Sequence, residues 1–587
     1  MSADQSSMNQ LITDNIDIWT STVKAKSSSG RGSSKKRELY GVKKLRELIL
    51  ELAVRGKLVP QDPSDEPASV LLEKNYLEQA RLVSQENLKT KATLEILPDD
   101  DYLSAPISWG RVRLGNLAKF IDYRGKTPKK IDSGVRLITA KNVKFGYISL
   151  VPEEFISEEE YDSWMTRGFP RVGDILFTPE APLGNVAQVD LEEKFALAQR
   201  AICFQLHIPE VSNFLKLFLM TPSFQNLLSE KATGTTAKGI KASVLKELLI
   251  YLPPEQEQHR IVVKVDELMT LCDQLEQQTE ASIAAHQVLV TTLLDTLTNS
   301  ADADELMQNW ARISEHFDTL FTTEASIDKL KQTILQLAVM GKLSKPLDSD
   351  TPVSNHLDSI LEQQKLTASA KEFKLIEAEL ANTKVEVDTN RVMLKARCFC
   401  DFITKGTTPS KTELLEIGDV PFLKVYNIVD NQLDFDYRPI FISQGVHEGK
   451  LKRSMARPGD VIMNIVGPPL GKVTVLTDQY TQWNMNQALA VFKPVDVVFN
   501  RYLYYVLSCD LTLNSVLKEV KGTAGQDNLS LEQCRDLLIP VIGIEEQKRL
   551  VELVDILLDL CKFLKTRLEE SQSTQLHLTD AIVEQAV

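Results

Sequence analysis

The chain has 587 residues, and its 67 lysines and arginines against 81 aspartates and glutamates give a formal net charge of -14. At about 100 to 200 residues per domain, a chain of this length contains several domains. Hydrophobic residues make up 43% and charged residues 25%, which excludes a largely disordered chain and a fibrous repeat. The acidic total also counts against a nucleic-acid partner, because that binding energy comes largely from Lys and Arg neutralising phosphates.

The lack of recognisable targeting signals and the pattern of cysteines predict a cytoplasmic protein. No apolar run reaches the roughly 18 to 20 residues that span a bilayer. The first ten residues have neither the basic nor the apolar region of a secretory signal. The seven cysteines are odd in number and scattered, which is typical of reduced thiols.

A predicted linker and a helical segment lie near the start of the chain, and the helical segment recurs later. Residues 24–37 (KAKSSSGRGSSKKR) are rich in Ser, Gly and Lys and are predicted to be a flexible linker, with DNA contact the less favoured interpretation. Residues 45–58 (LRELILELAVRGKL) form an amphipathic pattern that Gly56 ends. This pattern returns at residues 330–343 (LKQTILQLAVMGKL) with nine of fourteen residues identical, and there Gly341 ends it.

A second repeated segment follows each copy. Residues 257–275 (EQHRIVVKVDELMTLCDQL) match residues 546–564 (EQKRLVELVDILLDLCKFL) at ten of nineteen positions, and each copy comes after a proline. Apolar residues alternate at spacings of four and three, which is the heptad pattern of a helix-on-helix seam. We expect the two segments to pack on each other, although a core-facing helix would show the same pattern. A continuous helix over residues 256–298 would be about 64 Å long.

Two blocks between the helices, residues 106–252 and 391–540, are rich in β-branched and aromatic residues and are broken by Gly and Pro, as short strands and turns are. They share turn sequences with different residues between them, which suggests one fold used twice. Six residues are predicted to be shared turn formers: Gly173, Asp174, Gly184, Gly459, Asp460 and Gly471. The predicted domains are residues 1–105, 106–252, 253–390, 391–540 and 541–587.

Sequence signatures of a catalytic site are missing. The segment Gly467 to Val473 has the wrong spacing for a phosphate-binding loop, and neither Pro-Pro pair fits an amino-methyltransferase. Cys398 and Cys400 form a lone pair without a second pair or a nearby His, so we expect no metal. The chain is therefore predicted to bind or organise rather than to catalyse.

The negative charge belongs to the helical segments. Block 106–252 has a net charge of +3, block 391–540 has +1, and the remaining residues have -18. Residues 111–144 hold ten basic residues and two acidic ones, and residues 450–457 hold four basic residues and no acidic one. Basic residues near Asn, Gln, Thr and Tyr are what DNA recognition requires, although a solvated basic surface without function remains an alternative.

The paired LAVRGKL and LAVMGKL helices, the Glu-Gln-x-Arg openings at Glu257 and Glu546 and the two variable blocks closely resemble the DNA-specificity subunit of type I restriction-modification enzymes. The resemblance implies an α+β fold in which long antiparallel coiled-coil helices separate two β-rich target-recognition domains, an internal duplication with pseudo-two-fold symmetry. Each domain would read one half of a bipartite, asymmetric DNA site. The helices would set the spacer and dock two methyltransferase subunits.

The resemblance also implies the partners. The chain would bind double-stranded DNA and, through the complex, two restriction and translocase subunits. It would be non-catalytic and bind no cofactor, with S-adenosylmethionine, ATP and Mg on the partner subunits. This chain differs from shorter members of the family in its long N-terminal segment, so the resemblance does not fix where the first methyltransferase subunit docks. The alternatives are a coiled-coil scaffold without DNA binding and a self-sufficient nuclease or methyltransferase with a divergent site.

The candidate DNA-binding residues are polar or basic residues of the two blocks. In the first block they are Tyr123, Arg124, Lys126, Lys129, Lys141, Asn142, Lys144, Thr235, Thr236 and Lys238. In the second block they are Lys405, Thr407, Lys424, Tyr426, Asn427, Lys452, Arg453, Asn484, Asn486, Gln487 and Gln526.

The matched register of the two long helices predicts the spacer. Two similar domains on a helical support should contact half-sites about one DNA turn apart. We expect that lengthening both helices together lengthens the unread spacer between the half-sites. Methylation footprints of such an insertion variant measure this length, and an unchanged spacer would contradict the hypothesis.

Overall fold

The computed structural model describes residues 8–25, 37–85, 95–97, 100–123, 127–198, 200–234, 238–385, 390–467, 470–517 and 528–587. Most of the predicted linker, residues 26–36, lies outside them. The described residues divide into two compact units. Unit 1 comprises residues 8–25, 37–280 and 572–587, and unit 2 comprises residues 281–571. Among the described residues, no helix combines the length and the apolar character needed to cross a bilayer.

Unit 1 has short helices and strands in alternation. Its helices are α1 Met8–Asp14, α2 Ile16–Ser21, α3 Tyr40–Val54, α4 Ala68–Gln85, α5 Leu114–Leu117, α6 Glu158–Trp164, α7 Ser212–Met220, α8 Pro222–Lys231 and α9 Ala242–Glu247. Its strands are β1 Val23–Ala25, β2 Arg37–Leu39, β3 Gly110–Arg113, β4 Ala118–Asp122, β5 Val135–Ile138, β6 Phe155–Ile156, β7 Ile175–Phe177, β8 Val186–Gln188, β9 Phe195–Leu197, β10 Ile202–Leu206 and β11 Leu249–Leu252.

Two long helices, α10 Glu255–Asn299 and α21 Ile544–Ala586, each contribute residues to both units. The other helices of unit 2 are α11 Ala303–Glu315, α12 Phe317–Leu320, α13 Glu324–Val339, α14 Val353–Thr367, α15 Ala370–Ala381, α16 Ala396–Phe399, α17 Gln444–Glu448, α18 Asn500–Leu507, α19 Asp510–Leu517 and α20 Leu531–Asp536. Its strands are β12 Val392–Lys395, β13 Cys400–Lys405, β14 Val420–Leu423, β15 Ile428–Val429, β16 Gln432–Leu433, β17 Phe441–Ile442, β18 Val461–Asn464, β19 Val473–Val475, β20 Asn484–Met485, β21 Leu489–Pro494 and β22 Leu538–Val541.

The two units repeat one strand topology, which confirms the predicted duplication. Unit 1 has a four-stranded sheet in the order β4-β10-β7-β8 and a three-stranded sheet in the order β6-β5-β9, and unit 2 has β13-β21-β18-β19 and β17-β14-β20. In each three-stranded sheet one pair is parallel, β5 with β9 and β14 with β20. An antiparallel ladder, β3 with β11 or β12 with β22, joins the first strand of each domain to its last.

The heptad residues of the two long helices are buried, but their partners differ from the prediction. Residues 261–272 of α10 lie in the unit 1 core with α3, whereas residues 550–561 of α21 lie in the unit 2 core with α13. The expectation that these two matching segments pack on each other is therefore wrong. Instead, the end of α21 packs against the unit 1 core and the end of α10 is buried in the unit 2 core, so each unit holds the start of one helix and the end of the other.

The glutamine of each Glu-Gln-x-Arg sequence closes the junction between the last strand and the long helix. The Gln258 side-chain amide donates to the Pro253 carbonyl at 2.9 Å, and Gln547 donates to the Ile542 carbonyl at the same distance. Both glutamines are buried. The bonds satisfy carbonyl groups where neither the strand ladder nor the helix supplies a donor, so the turn between them is held in one conformation.

The arginine of the same sequence holds the segment that follows the repeat helix. Arg260 donates to both carboxylate oxygens of Asp65 at 3.1 and 2.5 Å, and Arg549 does so to Asp350 at 2.7 and 2.6 Å. The side chains of Asp65 and Asp350 are only 6% and 2% exposed. Hydrogen bonding from Arg549 lowers the pKa of Asp350 below its usual value. Each two-pronged pair therefore connects the long helix to the segment that follows the repeat helix of the same unit.

Replacing either arginine should destabilise its unit. Arg260→Ala or Arg549→Ala leaves a buried carboxylate without its partner, which we expect to cost about 2 to 3 kcal/mol in the free energy of unfolding. Lysine should recover only part of this, because it cannot form the two-pronged pair. For Arg549→Ala the cost should be full above about pH 4, near the pKa of an unfolded aspartate, and should decrease as the pH falls and Asp350 becomes protonated.

Urea unfolding followed by circular dichroism measures these differences. Lys264→Ala is the matched control, because Lys264 lies one turn further along α10 in an exposed pair with Glu267 and should change the unfolding free energy by less than about 0.5 kcal/mol. Equal effects of Arg260→Ala and Lys264→Ala would contradict the assigned role.

Candidate nucleic-acid interface

Four connecting segments of unit 2 meet at one end of its four-stranded sheet. The Thr407 amide donates to the Met485 carbonyl at 3.1 Å, which places the segment after β13 beside the β20–β21 turn. The Ile465 amide donates to the Ala488 carbonyl at 2.9 Å and the Leu529 amide to the Ile465 carbonyl at 3.0 Å. We call residues 405–410, 464–467, 470–472, 485–489 and 528–530 the unit 2 loop cluster.

Unit 1 has the corresponding cluster. The turn between β7 and β8 contacts the connection between α8 and α9, because the Ile240 amide donates to the Pro179 carbonyl at 2.9 Å. The turn between β9 and β10 joins them through Arg200, whose Nε lies 3.3 Å from a carboxylate oxygen of Glu180. We call residues 178–185, 198, 200–201, 233–234 and 238–240 the unit 1 loop cluster.

The parallel strands explain why these segments converge. Parallel neighbours end at the same edge of a sheet, so the segments that follow β5 and β9, or β14 and β20, begin side by side. The Ala198 amide donates to the Ile138 carbonyl at 3.0 Å, and the Asn486 amide donates to the Leu423 carbonyl at the same distance. A further side-chain bond ties the hairpin to this edge, from Asn185 to the Val143 carbonyl in unit 1 and from Lys472 to the Ile428 carbonyl in unit 2.

The shared turn formers were predicted correctly. Asp174 accepts a hydrogen bond from the Arg171 amide at 2.8 Å, and Asp460 accepts one from the Arg457 amide at 2.9 Å. The four glycines have positive φ angles between 78° and 92°, where a side chain would be strained; they are Gly173, Gly184, Gly459 and Gly471. The bends therefore set where each hairpin starts and ends.

Four candidate DNA contacts are buried and serve the fold instead; they are Tyr123, Asn142, Asn427 and Asn484. The Tyr123 hydroxyl accepts from the Arg167 amide at 2.7 Å and donates to the Gly168 carbonyl at 3.1 Å, and burial raises its pKa. Asn484 accepts from the Ser454 hydroxyl at 2.9 Å. These side chains are already engaged within the domain, so they are not presented to a ligand.

Asn142 and Asn427 hold the same turn in the two units. The Asn142 amide donates to the carbonyls of Ser149 and Pro152 at 2.9 and 3.0 Å. Asn427 donates to the carbonyls of Asp434 and Tyr437 at 3.2 and 3.1 Å. A buried asparagine that connects two carbonyl groups braces the loop after the parallel strand. Its recurrence at an offset of 285, the offset of the repeat helices, was the sequence signal for this role.

The remaining described candidates lie nearer the surface. Eight are exposed: Lys129, Lys141, Lys238, Lys405, Thr407, Lys452, Arg453 and Gln487. Four are half-buried: Lys144, Lys424, Tyr426 and Asn486. The unit 2 cluster brings together Lys405, Thr407, Asn486 and Gln487. Five further candidates lie outside the described residues: Arg124, Lys126, Thr235, Thr236 and Gln526.

Acidic residues from other segments lie within 4.0 Å of five basic residues in the run 111–144. Asp100 and Asp101 pair with the two arginines of β3. Glu154 pairs with Lys130 at 2.7 Å and lies 4.0 Å from Lys141. Glu153 and Glu193 pair with Arg136. The run is therefore not one continuous basic surface. In unit 2, by contrast, Lys405, Lys452 and Arg453 have no ion-pair partner within the part of the chain that the structure describes.

The candidate list omitted polar and apolar residues at the hairpin turns. Glu180 and Arg200 in unit 1 and Val466 in unit 2 lie in the loop clusters and are partly or fully exposed. They lie outside the clusters of basic residues by which the sequence indicated DNA contacts. The shared turn sequences that flank them, Pro182-Leu-Gly184 and Pro469-Leu-Gly471, were the available signal.

The lone pair of cysteines lies in the core of unit 2. Cys398 and Cys400 are buried and not disulfide-bonded. Burial raises the pKa of Cys398 to about 12.

The fold defines a class of protein, a duplicated recognition protein. In this class one scaffold is present twice and presents two different sets of loop side chains. The sequence matches the family described as type I restriction modification DNA specificity domain over residues 106–285 and 398–571. The chain belongs to this family of type I restriction-modification specificity proteins, and it contains the domain twice.

Individual relatives match along nearly the whole chain. The type I restriction enzyme EcoAI specificity subunit of Escherichia coli is 33% identical over 99% of this chain and 100% of its own. The EcoEI specificity subunit of the same species is 34% identical over 98% of this chain and 99% of its own. A solved chain of a type I R-M system is 17% identical, with a TM-score of 0.47, and covers 82% of this chain and 98% of that one.

The bracing asparagines should be needed for stability. Asn427→Ala removes the donor for two carbonyl groups and the acceptor for the Lys424 amide, which lies 3.0 Å from Oδ1. We expect a loss of about 2 to 4 kcal/mol in the free energy of unfolding, and the same for Asn142→Ala. Gln432→Ala, at an exposed position on the neighbouring β16, is the control and should change it by less than about 0.5 kcal/mol. If Asn427 instead contacts bases, Asn427→Ala will alter methylation specificity and leave the urea midpoint unchanged.

Proposed function

We propose that this chain gives a type I restriction-modification complex its DNA sequence specificity. Each loop cluster would read one half of a bipartite, asymmetric site in double-stranded DNA. One observation carries the proposal: the same strands and turns build both clusters, yet the side chains they expose differ. A duplicated scaffold with different exposed side chains suits two half-sites of different sequence. The full-length similarity to specificity subunits supports it.

The helical parts would serve the other subunits. The net negative charge lies outside the two recognition blocks: the residues there have a net charge of -18, whereas the blocks have +3 and +1. An acidic frame repels phosphates and leaves DNA to the loop clusters. We propose that two methyltransferase subunits dock on this frame and that two restriction and translocase subunits join through them. S-adenosylmethionine, ATP and Mg would act on those partners, and this chain would bind and position DNA without catalysing a step.

The DNA contacts proposed from the structure are the exposed candidates together with Arg200. In unit 2, Lys405 lies in the loop cluster and is exposed. Lys452 and Arg453 form a short 3-10 helical turn, Lys452–Ser454, which contacts β20 through the bond between Ser454 and Asn484. Positive side chains without an ion-pair partner are available to phosphates at no cost of breaking an existing pair. Thr407 and Gln487 add the neutral groups that hydrogen-bond to bases or sugars.

The three basic residues of unit 2 make the proposal testable. In the assembled methyltransferase complex, Lys405→Ala, Lys452→Ala and Arg453→Ala should each weaken binding to cognate and non-cognate duplexes alike. Each should also reduce the slope of log affinity against log salt concentration by about 0.9, if the residue contacts one phosphate. Fluorescence anisotropy at several salt concentrations measures both effects.

Lys374→Ala is the matched control, since Lys374 is an exposed lysine of α15 in the same unit but outside the cluster. It should leave the affinity and the slope unchanged. An unchanged slope in all three cluster variants would contradict the assigned contacts. If the wild-type complex shows no salt-sensitive binding at all, the chain is a coiled-coil scaffold instead.

A further inference from the structure

We propose that Glu180 and Val466 occupy one specificity-determining position in the two units. The Glu180 carboxylate would select cytosine through its exocyclic amino group in one half-site, and the Val466 side chain would select thymine through its methyl group in the other. This inference rests on the proposed function and names the chemistry that each half-site must present.

Backbone hydrogen bonding establishes that the two positions are equivalent. Glu180 forms an isolated antiparallel bridge with Gly239, and Val466 forms one with Asn528. In both units the residue before this position accepts a hydrogen bond from the residue after the bridge partner: the Pro179 carbonyl accepts from the Ile240 amide at 2.9 Å, and the Ile465 carbonyl accepts from the Leu529 amide at 3.0 Å. Glu180 lies in the turn between β7 and β8, and Val466 lies in the corresponding turn between β18 and β19.

The same position therefore exposes opposite chemistry. The Glu180 side chain is 44% exposed, and Val466 is 39% exposed. An ionised carboxylate only accepts hydrogen bonds, so it matches the amino group of cytosine in the major groove and is repelled by the acceptor edges of guanine and thymine. Adenine also presents an amino group there, but beside the N7 acceptor, which repels the carboxylate. A branched apolar side chain offers no hydrogen bond and instead matches the thymine methyl group.

The surroundings of Glu180 leave its carboxylate usable beside DNA. Arg200 lies 3.3 Å from one carboxylate oxygen and offsets the charge that would otherwise repel phosphates. Because both side chains are more than 40% exposed, their pair contributes little to stability and can be rearranged when DNA binds. A Cβ atom at Gly239 would lie 3.2 Å from the Glu180 Cβ and 3.6 Å from its second carboxylate oxygen. The glycine thus leaves that oxygen uncrowded.

Exchanging the side chains tests the assignment. Methylation sequencing of cells that express the full chain with its cognate methyltransferase subunits reports both half-sites directly. Glu180→Val should change one base pair of one half-site from cytosine towards thymine, with about a tenfold loss of preference for the original base. Glu180→Gln, nearly the same shape, should shift that base pair towards adenine, which glutamine recognises. Val466→Glu should change one base pair of the other half-site from thymine towards cytosine.

A control variant and two possible outcomes distinguish a failure of the Glu180 assignment from a failure of the proposed function. Glu192→Ala removes an exposed carboxylate between β8 and β9, at the opposite end of β8 from the hairpin turn, and should leave both half-sites unchanged. Thermal unfolding of each variant shows that it is folded. If Glu180→Val and Glu180→Gln are folded and methylate the wild-type sites with unchanged preference, the assignment of Glu180 fails while the proposed function stands. If the wild-type complex methylates without sequence preference, the proposed function fails and this inference fails with it.

Discussion

The junction between the last strand of each recognition domain and the long helix is the constraint on which the rest of the structure depends. A ladder joins the first strand of the domain to its last, and the helix begins three residues after that last strand ends. Gln258 and Gln547 satisfy the carbonyl groups of this short connection, and Arg260 and Arg549 tie the helix to a buried aspartate beyond the repeat helix. Without these bonds a turn this short would leave the direction of the helix free.

This constraint lets the rest of each domain vary. The sheets, the bracing asparagines and the glycine bends recur in both units, whereas the exposed residues of the loop clusters differ. Packing restricts the buried residues closely, but an exposed loop side chain changes the stability of the fold little. The exposed loop residues can therefore change at little cost in free energy, as long as the turns that hold them remain.

Much of the architecture was predictable from the sequence because the chain contains an internal duplication. The repeat helices, the long helices, the two mixed domains and the six shared turn formers all came from comparing the chain with itself. The candidate DNA contacts were harder to select. Asn142, Asn427 and Tyr123 have the residue types that DNA recognition uses, and those types also satisfy buried backbone groups. A single sequence cannot separate the two roles, because the bonding partner of a polar residue is chosen by the fold.

The sequence by itself determined the duplication, the helical pattern and the distribution of charge between frame and recognition blocks, because these depend on periodicity and composition. The tertiary structure alone decided three things. It separated the two heptad segments into different units, it brought Glu153, Glu154 and Glu193 onto the basic run of unit 1, and it placed Glu180 and Val466 at equivalent positions. Each of these depends on contacts between residues far apart in the chain, which local sequence patterns do not encode.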